Sequence, residues 1–170
     1  MITAIGLTAI FLTALINDID ADFISRVETT AWLDGDGKPV HDPTTGKLLS
    51  RIERDADGIV KTLRLNEMQL SADEFTAIGR IETLRVLDLY RTNVTDENLR
   101  QLRELPRLEG LNLSSTEITD AAVDEIIKFK SLRSLCLGNV KVAPESVVRL
   151  KEHFRTHEKW RLSLGYYQRK

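Results

Sequence analysis

Leucine pairs separated by a single residue recur along this chain at a fixed interval. Leu63-x-Leu65, Leu87-x-Leu89, Leu111-x-Leu113 and Leu135-x-Leu137 follow one another every 24 residues. Four more columns keep the same step. They are Met68, Thr92, Thr116, Val140; Leu70, Val94, Ile118, Val142; Phe75, Leu99, Val123, Val147; and Ile78, Leu102, Ile126, Leu150. Self-similarity at such a period marks a repeat architecture in which each copy is one strand–turn–helix unit. A fifth, worn copy starts at Trp160, with Leu162 and Leu164 as its leucine pair.

Within each copy the apolar period changes. Leu87-Asp88-Leu89 alternates, which is the pattern of a half-buried strand, whereas Leu99, Leu102 and Leu105 step by three, as one face of a helix does. Helix-start residues stand between the two halves. Thr95-Asp96-Glu97 and Thr119-Asp120 offer a threonine oxygen to an orphan backbone N–H and an acid to the positive end of the helix. Ser71-Ala-Asp-Glu74 reads as a capping box, and Pro144 suits a first helical position. One unit cannot bury its own leucines, so stacking is expected to supply the core.

The segments Leu84-Arg-Val-Leu87-Asp-Leu89-Tyr-Arg-Thr92-Asn-Val94 and Leu108-Glu-Gly-Leu111-Asn-Leu113-Ser-Ser-Thr116-Glu-Ile118 carry a further pattern. With threonine in the Asn/Cys place, they resemble the leucine-rich-repeat family, L-x-x-L-x-L-x-x-N/C-x-L. The Ile-Thr-Asp helix start is similar to short bacterial repeats and to the cysteine-containing subclass. The resemblance covers roughly 59–165, as four full repeats and one degenerate one. It implies an α/β leucine-rich-repeat solenoid, right-handed, with a parallel concave sheet, convex helices and a cap at each end. The subclass cysteine is absent and no F-box precedes the repeats, so a ubiquitin-ligase receptor role is not carried over.

The flanks divide further. Residues 1–16 contain ITAIGLTAIFLTALI, fifteen residues without a charge. As a helix that stretch spans about 22 Å, short of the roughly 30 Å of a bilayer core. No Lys or Arg precedes it, and no small-x-small cleavage site follows. Three readings stay open: a signal or anchor, a buried capping helix, or an artefact. Residues 17–58 form an N-terminal cap region. Its parts are a helix within 17–33 carrying Phe23, Ile24 and Val27 on one side, a turn-rich loop at 34–46, and a hairpin entering the first repeat. The hairpin turns at Asp57-Gly58, flanked by Ile52 and Val60. At the other end, 144–157 reads as a longer helix. Trp160, Tyr166 and Tyr167 are expected to plug the last core edge, and residues 166–170 form a short tail.

Composition adds an asymmetry. Net charge is −2, yet residues 1–58 carry 10 acids against 5 bases, and residues 149–170 carry 7 bases against 2 acids. The bulk charge argues against nucleic acid. One cysteine, Cys136, excludes an internal disulfide, and His41, His153 and His157 are too scattered around it for a structural zinc. Asp34-Gly-Asp36-Gly fails as a calcium loop because Lys38 and Pro39 fall where ligands should be. His41-Asp42 has no serine elbow or active cysteine motif beside it, and neither a P-loop nor a zincin motif occurs. No catalytic, metal or cofactor residue is assigned, and an enzyme is not expected.

Function is therefore expected on the exposed side of the strands. In Leu-x-Leu the leucines face the core and the residue between them faces out. Thr62, Arg64, Asn66, Val86, Asp88, Tyr90, Gly110, Asn112, Ser114, Ser134, Cys136, Gly138, Arg161 and Ser163 would line the concave face. Tyr and Arg most often carry interface energy. The expected partner-binding set is Arg64, Arg85, Asp88, Tyr90, Arg91, Asn112, Ser114, Arg133 and Arg161. The expected function is a non-catalytic protein–protein interaction module, with no nucleic acid and no small-molecule substrate. A second expectation is a scaffold subunit of a membrane-associated or larger assembly, held by residues 1–16. In that case the chain is membrane-associated or exported, and otherwise cytoplasmic.

Overall fold

The computed structural model describes residues 21–29, 51–102, 105–157 and 160–164. Expectations for 1–16, for the 34–46 loop with His41 and Asp42, for Tyr166 and Tyr167 and for the 166–170 tail lie outside those residues.

Six strands form one sheet in chain order: β1 (Ile52–Arg54), β2 (Val60–Arg64), β3 (Val86–Asp88), β4 (Gly110–Asn112), β5 (Ser134–Cys136) and β6 (Arg161–Ser163). β1 runs antiparallel to β2, with Ile52 opposite Leu63. All later pairs are parallel. Leu63, Leu87, Leu111 and Leu135 lie side by side, so the 24-residue step of the sequence is the register of the sheet. Leu162 then falls opposite Leu135, a step of 27.

Helices follow the strands: α1 (Ala21–Thr29) ahead of the sheet, then α2 (Ala72–Gly79), α3 (Asp96–Leu102), a 3₁₀ turn Asp120–Ala122 leading into α4 (Val123–Ile126), and α5 (Pro144–Phe154). They pack on the leucine side. Phe75 and Ile78, Leu99 and Leu102, Val123 and Ile126, and Leu150 and Phe154 share one buried cluster with the strand leucines. Phe23 and Val27 of α1 join the same cluster. Glu28 of α1 pairs with Arg54 of β1 at 2.9 Å, and Arg26 pairs with Glu74 of α2.

A leucine-rich-repeat solenoid, the fold expected for 59–165, is not shown. The observed architecture is a mixed α/β sheet of six strands, mostly parallel, with a few helices. Its first pair is antiparallel, which no stack of identical strand–helix units produces. The helical elements are unequal, from an eleven-residue helix to a four-residue one behind a 3₁₀ turn. Leu164, expected in the last core layer, lies past β6 and is 48% exposed.

Local chemistry accounts for the element ends. Ser71 accepts from Glu74 N–H while the Glu74 carboxylate accepts from Ser71 N–H, so the capping box on α2 is formed. At α3, Asn98 Oδ1 accepts from both the N–H and the hydroxyl of Thr95, at 3.0 and 2.8 Å. Thr119 accepts from Ala121 N–H at 3.3 Å. The neighbouring acids go further than a cap. Asp96 accepts from Thr119 N–H at 2.8 Å and from the Thr119 hydroxyl at 2.7 Å, one unit along, and Asp120 accepts from Ala143 N–H at 2.8 Å. Asn93 adds a reciprocal pair to Leu70, both at 2.9 Å. Each tie satisfies backbone groups that the turns would otherwise leave unpaired.

Candidate protein-binding face

The leucine-to-core alternation sends the intervening strand residues to the face on which no described helix packs. The sheet register aligns Arg64, Asp88, Asn112, Cys136 and Ser163 in one row, and Thr62, Val86, Gly110, Ser134 and Arg161 in the next. Backbone bonds from Glu67 to Tyr90, Arg91 to Ser114 and Ser115 to Gly138 carry the pairing past the strand ends, at 2.8 to 3.1 Å.

Much of the polar centre of this face is occupied by its own hydrogen bonds. Asn112 donates to Asp88 at 3.0 Å and accepts from Ser114 N–H at 3.1 Å. Asp88 also accepts from Tyr90 N–H at 3.0 Å. The Ser114 hydroxyl accepts from Gly138 N–H at 3.0 Å, and Ser114 is 1% exposed. Asn112 and Ser114, expected as contact residues, are thus buried groups that hold neighbouring strands together. Thr62 and Asn66 are buried as well.

Arg51 closes the β1 end of the face, and its composition gave no hint of that role. It is buried, and its guanidinium donates to the carbonyls of Arg64 and Asn66, both at 3.1 Å, and to Asn66 Oδ1 at 3.3 Å. Burial lowers its pKa, while the charges of Glu67 and Asp88 oppose that shift. The only sequence cue was its place one residue before an apolar hairpin strand.

The remaining candidates separate into two rims. At the strand ends stand Tyr90 and Arg91. The Arg91 guanidinium lies 5.5 Å from the Tyr90 ring centroid and reaches Glu67 at 3.3 Å. Arg91 adopts φ 54°, in the left-handed region, as do Glu67, Ser115 and Asn139 at the equivalent positions 24 residues apart. That conformation is uncommon for side chains of this size and fixes where each one leaves the turn. At the strand starts stand Arg85, Arg133 and Arg161, all exposed. Arg85 pairs with Glu109 at 3.2 Å. Arg64 is half-buried and pairs with Glu53 at 2.6 Å. Val86, 40% exposed, is the large apolar residue on the face. The structure therefore brings Asp88, Asn112 and Ser114 into one sheet-holding network, ties Arg64 to Glu53 of β1, and puts Arg85, Arg133 and Arg161 at the end of the strands opposite Tyr90 and Arg91.

Cys136 is half-buried in the same row. Burial, reinforced by the charge of Asp88, pushes its thiol pKa up, which leaves it the neutral, weakly nucleophilic form at neutral pH. Among the described residues no group of three His, Cys, Asp or Glu is placed to hold a metal ion, and no helix is long and apolar enough to cross a membrane.

No family model matches the chain, and no curated protein matches it. Among solved structures the chain is similar to leiomodin-1 actin-binding site 2, at 13% identity and a TM-score of 0.49, covering 62% of this chain and 70% of that one. A likeness of that size carries no argument about function, and it does not restore the solenoid expected from the repeats.

Proposed function

We propose that the protein is a non-catalytic protein–protein interaction module that grips a partner protein at the Tyr90–Arg91 rim of the sheet face on which no described helix packs. One observation carries this reading. Tyr90 and Arg91 stack on each other at 5.5 Å at the edge of a face whose polar centre is largely occupied by its own hydrogen bonds. An aromatic ring and a guanidinium already held in place lose little side-chain entropy on docking and offer both apolar area and hydrogen-bond donors. Val86, at the start of the preceding strand, adds exposed apolar surface farther along the same face.

The test is affinity purification of the tagged chain from its native cells, wild type against the Tyr90→Ala/Arg91→Ala double variant, read by mass spectrometry. A partner lost with the double variant, at unchanged thermal stability, supports the reading. A partner set indifferent to both substitutions overturns it.

A further inference from the structure

The strand-start rim carries a feature that the Tyr90–Arg91 rim does not. A cleft of about 450 Å³ opens there, between the starts of β3, β4 and β5 and the end of α5. Among the described residues, four cationic side chains line it, Arg85, Arg107, Lys130 and Arg133, against the Glu109 carboxylate. The chain as a whole has net charge −2, so a net charge of three positive from the described lining stands against the average. Glu109 is engaged by Arg85 at 3.2 Å. Among the described residues, no carboxylate lies within ion-pair distance of Arg107, Lys130 or Arg133.

The backbone explains the convergence. Arg133 N–H donates to Glu109 carbonyl at 2.8 Å, and Glu109 N–H to Arg85 carbonyl at 2.8 Å, so the three residues step across adjacent strands at about 5 Å intervals. The Ser131 hydroxyl ties the loop before β5 to the Pro106 carbonyl at 2.7 Å, which sets Lys130 beside Arg107. His157, at the end of α5, closes the far wall.

We propose that this cleft receives a phosphorylated side chain of a partner protein. A carboxylate carries one charge, and a phosphoryl group carries nearly two with three acceptor oxygens. The surplus here is larger than one charge. The guanidinium forks of Arg107 and Arg133 suit the bidentate geometry of a phosphate, and Lys130 supplies a point charge. The volume lies at the small end of ligand sites, which fits one anionic side chain and its neighbours. The cleft lies at the opposite end of the strands from Tyr90 and Arg91, so it stands or falls separately from that rim.

The test uses the full chain, immobilised, and an oriented phosphoserine peptide library beside its dephosphorylated counterpart. The phosphorylated library should be retained at least tenfold better. Arg107→Ala or Arg133→Ala should each cut that retention at least fivefold, Tyr90→Ala should leave it unchanged, and rising salt should weaken it steeply. Equal retention of the two libraries overturns the proposal. So does displacement of the peptides by inorganic phosphate at matched phosphate concentration, which would make the cleft a site for the free ion. Equal retention of a single-stranded oligonucleotide would mark general polyanion attraction and also overturn it.

Discussion

Asp96 and Asp120 show how much one carboxylate does in this protein. Each follows a helix-start threonine, and each also accepts backbone hydrogen bonds from the next unit. Hydrogen bonds to a charged group contribute about 1.5–3 kcal/mol. Replacing Asp96 with alanine frees Thr119 N–H and its hydroxyl together, so urea denaturation of Asp96→Ala should show a loss of about 2 kcal/mol, and Thr119→Val a smaller one. Asp55 and Asp120 predict the pH response. Asp55 has its pKa lowered chiefly by Ile59 N–H, and Asp120 chiefly by the Ser146 hydroxyl and then by Ala143 N–H. A carboxyl whose folded pKa is depressed contributes stability above its unfolded pKa and loses it as pH falls through the folded value. The melting temperature should therefore drop below about pH 4, and the Asp55→Asn/Asp120→Asn variant should show a shallower acid limb. An acid limb identical to wild type would remove these two groups from the account.

Between elements, packing makes demands that residue patterns do not announce. Gly79 ends α2 where α3 passes. A Cβ there would stand 2.1 Å from the Gln101 carbonyl oxygen, which is backbone and cannot swing away. Gly79→Ala should thus cost about 2–3 kcal/mol, the upper range for overpacking, in the same denaturation assay. A cost under about 0.5 kcal/mol would mean that the two helices separate easily. The 24-residue columns, the hairpin at Asp57-Gly58 and the Ser71 capping box were legible because each rests on contacts between residues close in sequence or equivalent in register. Gly58 takes φ 79°, the left-handed value the turn needs. Thr92 and Thr116 sit in an apolar column because their hydroxyls donate to the Leu89 and Leu113 carbonyls three residues back. Gly79, Arg51 and the second role of Asp96 were not legible. Their partners lie on other elements, and no local pattern encodes a contact across two turns of chain. The solenoid expectation failed for a related reason. Repeated leucines specify a parallel register but not how much helix each unit builds, which runs from an eleven-residue helix to a four-residue one.

At the scale of the molecule, charge and exposure divide the surface. The sheet face on which no described helix packs has a largely buried, self-bonded centre, and the remaining candidate contact residues fall to its two rims. Sequence reasoning found the face by alternation but read Asn112 and Ser114 as a polar floor open to a partner. Side-chain direction alone does not reveal that a neighbour 24 residues away has already taken the hydrogen bonds. Truncating either residue should therefore lower stability, with Asn112→Ala costing about 1–2 kcal/mol, and affect binding only through the fold. Calorimetry on that variant would check it. Tyr90 and Arg91 are the reverse case. Apart from the exposed Arg91–Glu67 pair, worth little in solvent, their side chains bond little to the rest of the fold, so their replacement should leave stability within about 0.5 kcal/mol of wild type.

That contrast makes the central claim directly testable. Partner recovery and melting temperature should be measured together for wild type, Tyr90→Ala/Arg91→Ala and Asn112→Ala. The double variant should lose the partner while melting like wild type, and Asn112→Ala should melt lower yet retain the partner below its transition. Full partner recovery by the double variant, or a melting temperature that falls in step with lost binding, would contradict it.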